Sequence, residues 1–429
     1  MTKKTLAAAA AALFLLPLIA GANGLSLNGL GTRAQGMGGA FVSIADDFSA
    51  VFWNPAGAAG FRKETFGFAA TDLIPRTTYE FASMLPVESL IHAKTKISHY
   101  LGFLGGYYRP IGDSVVVGIG IGTPTAQGIM WNGADLVGLS GGVSYDWSDR
   151  IYVFSFSPMV AVGLGEAVSL GAALNIDYGS SSFKTPAGIA SVPGSEVPVD
   201  LGQYEETMNG WGVGATFGAL VRPIDRLSLG LTVRTPSSVA FDGTASMSNL
   251  ILYELPGSSA AERKITWPLA IAGGVSFRPV ERLLLSADVQ WTQWSKLSEI
   301  RTTFIEAAWA PLVEEVSQDV RVLDWKDATQ VRFGAEYALS ASTALRAGYY
   351  HDPAPGPDST LDLLLPTFTG NAFTIGLGET FGALKLDLGL EYLSGVTRRT
   401  GLDWQLESGA PGIYTWHAFV PSVSVQYKF

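Results

Sequence analysis

The chain has 429 residues, 50 of them glycine, no cysteine, and only 15% Asp, Glu, Lys and Arg, with a formal charge of −10. That acidity argues against nucleic acid as a partner, and a chain without cysteine has no disulfide staples. Hydrophobic residues make up 47% and mean hydropathy is +0.24, yet beyond the N-terminus no run approaches the ~20 apolar residues of a membrane helix.

Residues 1–22 read as a signal peptide. Lys3 and Lys4 form a basic start, Leu6 to Ile19 an apolar core, and Ala20-Gly21-Ala22 a small-x-small cleavage site. The core is short and no basic stop-transfer segment follows, which argues against a membrane anchor. Cleavage would start the mature chain at Asn23, and losing two lysines takes the formal charge from −10 to −12.

Residues 23–61 show neither alternation nor a helical stripe. Gly29, Gly31, Gly36, Gly38, Gly39 and Ala40 permit close backbone packing, and Pro55 interrupts any helix. Phe41, Val42, Phe48, Val51, Phe52 and Trp53 make the segment too apolar for a disordered leader.

From residue 62 onward, period-two alternation takes over. Leu384, Leu386, Leu388 and Leu390 alternate with Lys385, Asp387, Gly389 and Glu391; Leu227, Leu229, Leu231 and Val233 alternate with Ser228, Gly230, Thr232 and Arg234. Strands are predicted over 62–73, 97–109, 114–122, 151–163, 167–179, 209–222, 226–247, 264–279, 282–304, 322–339, 342–351, 370–382, 384–396 and 414–429, fourteen in all. The gaps alternate: tight turns such as Arg109-Pro110-Ile111-Gly112-Asp113 and Arg222-Pro223-Ile224-Asp225-Arg226, then long loops near 74–96, 123–150, 180–208, 248–263, 305–321, 352–369 and 397–413. Tight turns on one rim, long loops on the other and an even strand number are the layout of an outer-membrane barrel; a soluble sandwich has no reason to sort its loops this way. The closing SVSVQYKF, with Val423, Val425, Tyr427 and Phe429 on one face, suits a final strand that seals such a barrel.

A fourteen-stranded lumen is too wide to fill from its walls, because eight strands already enclose side-chain-filling space and sixteen an open channel. The expected architecture is therefore all-β: residues 62–429 form a transmembrane antiparallel barrel, and 23–61 an N-terminal plug inside it. The pieces Leu27-Asn28, Gly36-Met37-Gly38-Gly39-Ala40, Ile44-Ala45-Asp46-Asp47 and Asn54-Pro55-Ala56, followed by Trp294-Ser295, Trp325-Lys326-Asp327, Leu345-Arg346-Ala347-Gly348 and Pro353, occur in an order and spacing that resembles the FadL/TodX-type transporters. These carry long-chain fatty acids and other hydrophobic compounds across bacterial outer membranes. The resemblance implies a fourteen-stranded barrel with an N-terminal hatch bearing Asp46, Asp47, Asn54, Pro55 and Ala56. It also implies an outer-membrane location, with lipid and a hydrophobic small molecule as partners of a monomeric chain.

Apolar cargo gains nothing from a water-filled pore and needs an exit that avoids water. Gly118, Gly120 and Gly122 lie on one face of the third strand and are followed by Pro124, residues that weaken strand pairing. The resemblance places a kinked third strand with a lateral gap here, expected at Gly122 to Pro124; the alternative is that the glycines only make room for the plug and Pro124 starts a loop. Capture is expected on apolar loop surface, with Leu250, Leu252 and Tyr253 as candidates beside Phe304 to Val313 and Leu361 to Leu365. By position in the family pattern, Arg321, with Lys184 as second choice, is the candidate cation for a cargo carboxylate; either could instead be a solvated loop charge or pair with Asp324 or Asp327. An uncharged cargo would need neither.

Nothing nominates an enzyme. His92, His99, His351 and His417 have no ligand spacing, there is no G-x-S-x-G elbow, and no cofactor or metal is expected. A porin for small polar solutes is the rival reading, and an outer-membrane lipase a more distant one.

Overall fold

A computed structural model describes residues 24–81, 91–400 and 411–429; the signal peptide expected over 1–22 lies outside them. Fourteen antiparallel strands close into one barrel. They are β1 (Thr65–Phe81), β2 (Tyr100–Ile111), β3 (Val115–Met130), β4 (Ser148–Leu164), β5 (Val168–Pro186), β6 (Gln203–Ile224) and β7 (Leu227–Arg234 with Ser237–Met247). The second half comprises β8 (Ser258–Trp267 with Ala270–Val280), β9 (Leu283–Thr292 with Glu299–Phe304), β10 (Ala328–Ala338), β11 (Thr343–Asp352), β12 (Gly370–Phe381), β13 (Leu384–Gly395) and β14 (Gly412–Lys428). β14 pairs with β13 on one side and with β1 on the other, from Thr65↔Lys428 to Phe81↔Gly412, and so removes the sheet edges.

The alternation has a direction. On β13, Leu386, Leu388 and Leu390 are exposed on the outer face while Asp387 and Glu391 are buried within. On β10, Phe333 and Tyr337 face out and Arg332 faces in. Apolar residues outside and charged residues inside invert the pattern of a soluble domain and match a lipid-facing wall.

Several strands run beyond their expected ends on the long-loop rim. β1 continues to Phe81, β6 begins at Gln203, and β3 continues through Pro124 to Met130. The loop expected near 123–150 therefore begins only after Met130, and Pro124 does not start it, contrary to the alternative reading. Toward that rim the outer face turns polar, as where Lys184 pairs Glu205 and Ser182 pairs Thr207, so the backbone ladder persists after the outward apolar period has faded.

Residues 24–61 fold inside the barrel as two one-turn helices, Thr32–Gly36 and Ala50–Trp53, and a 3₁₀ turn over Pro55–Gly60. Gly38 and Gly39 take positive φ (62° and 69°) at the tight turn between them. The wall accommodates this hatch by lacking side chains: a Cβ at Gly230 would strike Val42 and Ser43, and one at Gly334 or Gly348 would strike Met37 or Gly38. The loops form a roof in which Leu250, Trp294, Trp309, Leu312, Val313 and Trp325 bury with Leu25 of the hatch. A second roof cluster joins Leu361, Leu363 and Leu364 to Trp131 and Tyr79. Most of the apolar loop residues expected as capture surface thus pack against one another.

Candidate functional site

Asn54 is fully buried and holds three parts of the molecule together. Its Oδ1 accepts from the Ala56 amide (3.1 Å), while Nδ2 donates to Val42 O (2.8 Å) and to Ala219 O of β6 (3.1 Å). Pro55 opens the 3₁₀ turn, where its missing N–H costs nothing, and Ala56 packs where Gly171 and Gly218 leave the wall bare. Asp47 caps its own turn, accepting from the Ser49 amide (2.9 Å) and hydroxyl (2.5 Å). Asp46 pairs with Arg33. The expected hatch residues are therefore brought together as a folding device.

Besides Asn54, what fastens the hatch to the wall lies in residues that the sequence reading did not name as site candidates. Arg33 grips Glu336 of β10 with two nitrogens (2.7 and 2.9 Å), Glu336 accepts from Arg346 of β11 (2.7 Å), and Arg346 reaches Asp387 of β13 at 2.8 Å. One oxygen of Asp288 on β9 accepts from the Phe41 and Val42 amides (2.7 and 2.8 Å). The available signal was charge at inward positions of alternating strands: Asp288, Arg332, Glu336, Arg346, Asp387 and Glu391 all fall on the polar phase of the period.

The third strand separates the two readings of its glycines. A Cβ at Gly120 would lie 2.5 Å from Val51 of the hatch, and one at Gly118 would lie 2.7 Å from the Tyr108 ring, so these two make room. Gly122 is where pairing ends. β2 and β3 are paired from Ile111↔Val115 to Leu104↔Gly122 and no further. Against β4 the register slips by one residue between Gly122↔Ser155 and Thr125↔Val153, a bulge at Thr123-Pro124. Beyond it the Thr123 hydroxyl accepts from the Phe103 amide (2.8 Å) in place of the ladder, and Pro124 O accepts from the Leu27 amide of the hatch (2.9 Å).

Three adjoining cavities run between roof, hatch and wall. The outer one, about 420 Å³, is lined by Phe183, Tyr204, Arg263, Arg321 and Asp362. It shares Asp149 and Leu365 with a second of about 180 Å³, bounded by Leu27, Phe368 and Trp416. The third, about 130 Å³, shares Ser26 and Leu27 with the second and extends from Arg234 and Trp294 to Gly122 and Pro124. A thin strip of hatch thus stands between the loop side and the break in the wall.

The sequence-based cargo candidates are placed as follows. Arg321 lines the outer cavity but is paired with Asp149 (2.8 Å) and Asp362 (3.3 Å) and lies over the Phe183 ring (4.8 Å); its partners are not Asp324 or Asp327. Burial works against its charge, but Asp362 and Asp149 outweigh that and raise the guanidinium pKa above its usual value. Lys184 sits at the rim, paired with Glu205 (3.0 Å) and Asp146 (3.7 Å). Leu250 is buried in the roof, contrary to its expected exposure, because the one-turn helix it begins points it inward. Leu252 is 71% exposed and Tyr253 half-buried against the roof. His92, His99, His351 and His417 form no metal cluster among the described residues.

A family model described as outer membrane protein transport protein (OMPP1/FadL/TodX) matches residues 13–429. Outer membrane protein P1 of Haemophilus influenzae is 21% identical over 416 residues, covering 87% of each chain. Among solved structures, a Pseudomonas aeruginosa FadL homologue superposes with TM-score 0.76 at 17% identity, over 95% of this chain and 100% of that one. The P. putida toluene transporter TodX gives 0.73 at 16%, over 94% and 99%.

Proposed function

Since the chain belongs to the OMPP1/FadL/TodX family of outer-membrane transport proteins, we propose that it takes up hydrophobic small molecules and releases them sideways into the bilayer through the break between β2 and β3. The supporting relatives include a toluene transporter and a homologue of FadL. The observation that carries the reading is the end of β2–β3 pairing at Gly122, beside a cavity bounded by Leu27, Leu104 and Pro124. Unpaired backbone is not tolerated against lipid unless something satisfies it; here the Thr123 hydroxyl and the Leu27 amide do so, which supports a break in the pairing that is stable in lipid.

Cargo would enter from the loop rim, where Leu252 and Ile251 are exposed beside the roof, and pass the outer and second cavities. Displacement of the strip around Leu27 would then open the third. The hatch stays fastened lower down by Arg33 and Asn54, so only its first residues need move. Long-chain fatty acids and neutral hydrocarbons both suit this path.

A reversible lock tests the exit. A Cβ at Gly102 lies 3.2 Å from Thr123 Oγ1, within disulfide reach, and the chain has no cysteine of its own. Gly102→Cys with Thr123→Cys should lose uptake of toluene and oleate when oxidised and regain it on reduction, with the barrel folded throughout. Undiminished uptake by the oxidised form overturns lateral release.

A further inference from the structure

We propose that the tight-turn rim carries a binding site for an anionic phospholipid of the periplasmic leaflet, its phosphate held between Arg226 and Arg282 and its acyl chains laid along Val280 and Tyr337. The site depends on the barrel's place in the outer membrane and not on what the barrel carries.

One five-residue pattern occurs twice, and the fold sets the two copies side by side. Arg222-Pro223-Ile224-Asp225-Arg226 joins β6 to β7, and Arg278-Pro279-Val280-Glu281-Arg282 joins β8 to β9. β7 and β8 are paired up to Leu227↔Phe277, and the Arg278 amide donates to Arg226 O at 2.8 Å, so Arg226 and Arg278 stand opposite each other. Like charges placed so are unfavourable unless an anion joins them. All four arginines are exposed, and none forms an ion pair among the described residues, although Asp225 and Glu281 lie in the same turns. Turn formation does not ask for arginine here. Other turns on this rim close with Gly112, Gly165 or Gly382 at positive φ.

The surroundings name the ligand's chemistry. Arg226, Pro279, Val280, Glu281, Arg282 and Tyr337 line a groove of about 460 Å³. Tyr337 lies on the lipid-facing side of β10, and Val280, Ile224 and Phe277 near it are exposed apolar side chains. The groove thus joins guanidinium groups to apolar surface where the wall meets the turns that face the periplasm. A guanidinium fork matches phosphate oxygens bidentately, and a tyrosine suits head-group depth, with an apolar ring and a polar hydroxyl. Four arginines against Asp225 and Glu281 leave a local surplus of 4 − 2 = 2 positive charges on a chain whose formal charge is −10. Clusters of this kind attract anionic lipid. Phosphatidylglycerol, with one net negative charge, answers the surplus, whereas a zwitterionic lipid brings an ammonium that the arginines repel. A soluble phosphate would leave Val280 and Tyr337 uncovered.

The test is equilibrium binding of fluorescent phosphatidylglycerol and phosphatidylcholine to the purified full-length protein in a nonionic detergent, with glycerol phosphate as a water-soluble competitor. The wild type should prefer phosphatidylglycerol. Arg226→Gln combined with Arg282→Gln should weaken that lipid about tenfold or more, since hydrogen bonds to charged groups are the strong ones, and leave phosphatidylcholine unchanged. Arg226→Gln alone should give part of the loss. Arg109→Gln, on the same rim but beside Glu64 (3.4 Å), should keep the full affinity. Heat-modifiable migration on gels should stay the same in every variant, which shows the barrel folded. Unchanged phosphatidylglycerol binding by the double variant overturns the proposal. Equal weakening by Arg109→Gln also overturns it, because only the diffuse charge of the rim would then be at work. Displacement of the lipid by glycerol phosphate at similar concentration makes the groove a site for soluble anions and overturns the lipid assignment.

Discussion

Asn54 and Arg321 show how a residue's role depends on partners far along the chain. Asn54 bonds within its own turn, where an Asn-Pro step suggests an Asx-type cap, but it also bonds Ala219, which no local pattern announces. Replacing it with alanine takes this partner from the buried Ala56 amide and Val42 carbonyl, at about 1–3 kcal/mol each. Asn54→Ala should therefore speed hydrogen exchange at the Ala56 amide while the barrel's own amides stay protected. Arg321 teaches the converse. Its position in a family pattern marked it as a cargo cation, yet Asp149 stands 172 positions away and Asp362 on another loop, and together they occupy it. Arg321→Met strands two carboxylates in a largely buried mouth, and breaking such a pair costs up to about 3–5 kcal/mol. The expected result is faster proteolysis of the outer loops without loss of cargo affinity; a loss of affinity confined to carboxylates would return the role to Arg321. Arg234 was visible in the sequence only as the polar member of an alternating strand, because its hydrogen bond to Phe52 O of the hatch is a property of the fold.

The strands were legible where lipid imposes a period and illegible where it does not. β13 alternates through its whole length because one face meets lipid and the other the charged hatch interface. The upper half of β3 mixes Thr123, Pro124, Thr125 and Gln127, and the signal ended at Gly122 although the strand did not. A proline at that point looks like a strand terminator, but a bulge absorbs it with its N–H requirement removed. The glycines of β3 differ in what they do, and substitution should separate them. Gly120→Leu drives a side chain into Val51, so it should loosen the hatch and raise ion conductance in planar bilayers without closing the exit. Gly273→Ala, where a Cβ meets nothing within 4 Å, should change neither conductance nor uptake. If Gly120→Leu blocks uptake with conductance unaltered, Gly120 belongs to the exit and not to the seat of the hatch.

At the scale of the whole molecule, the charges form a bolt between hatch and barrel. Arg33 on the hatch, Glu336 on β10, Arg346 on β11 and Asp387 on β13 make a continuous chain inside a wall whose outer surface is apolar. The barrel itself does not need this bolt, because its backbone ladder closes from β1 to β14 and satisfies its own polar groups. The hatch does, since its helices are one turn long and far below the length at which a helix is stable alone. Glu336 is the link both arginines share, and its loss parts the hatch from the wall, leaving Arg33 on Asp46 and Arg346 on Asp387. Glu336→Ala should therefore leave the barrel folded and heat-modifiable on gels, while the plug loosens and small ions pass through planar bilayers that the wild type blocks. A porin for polar solutes would conduct in both forms. Conductance that rises only on removing Glu336 fits a corked barrel whose cargo leaves by the wall, and equal conductance in the two proteins would mean that the lumen, not the break beside β3, is the path.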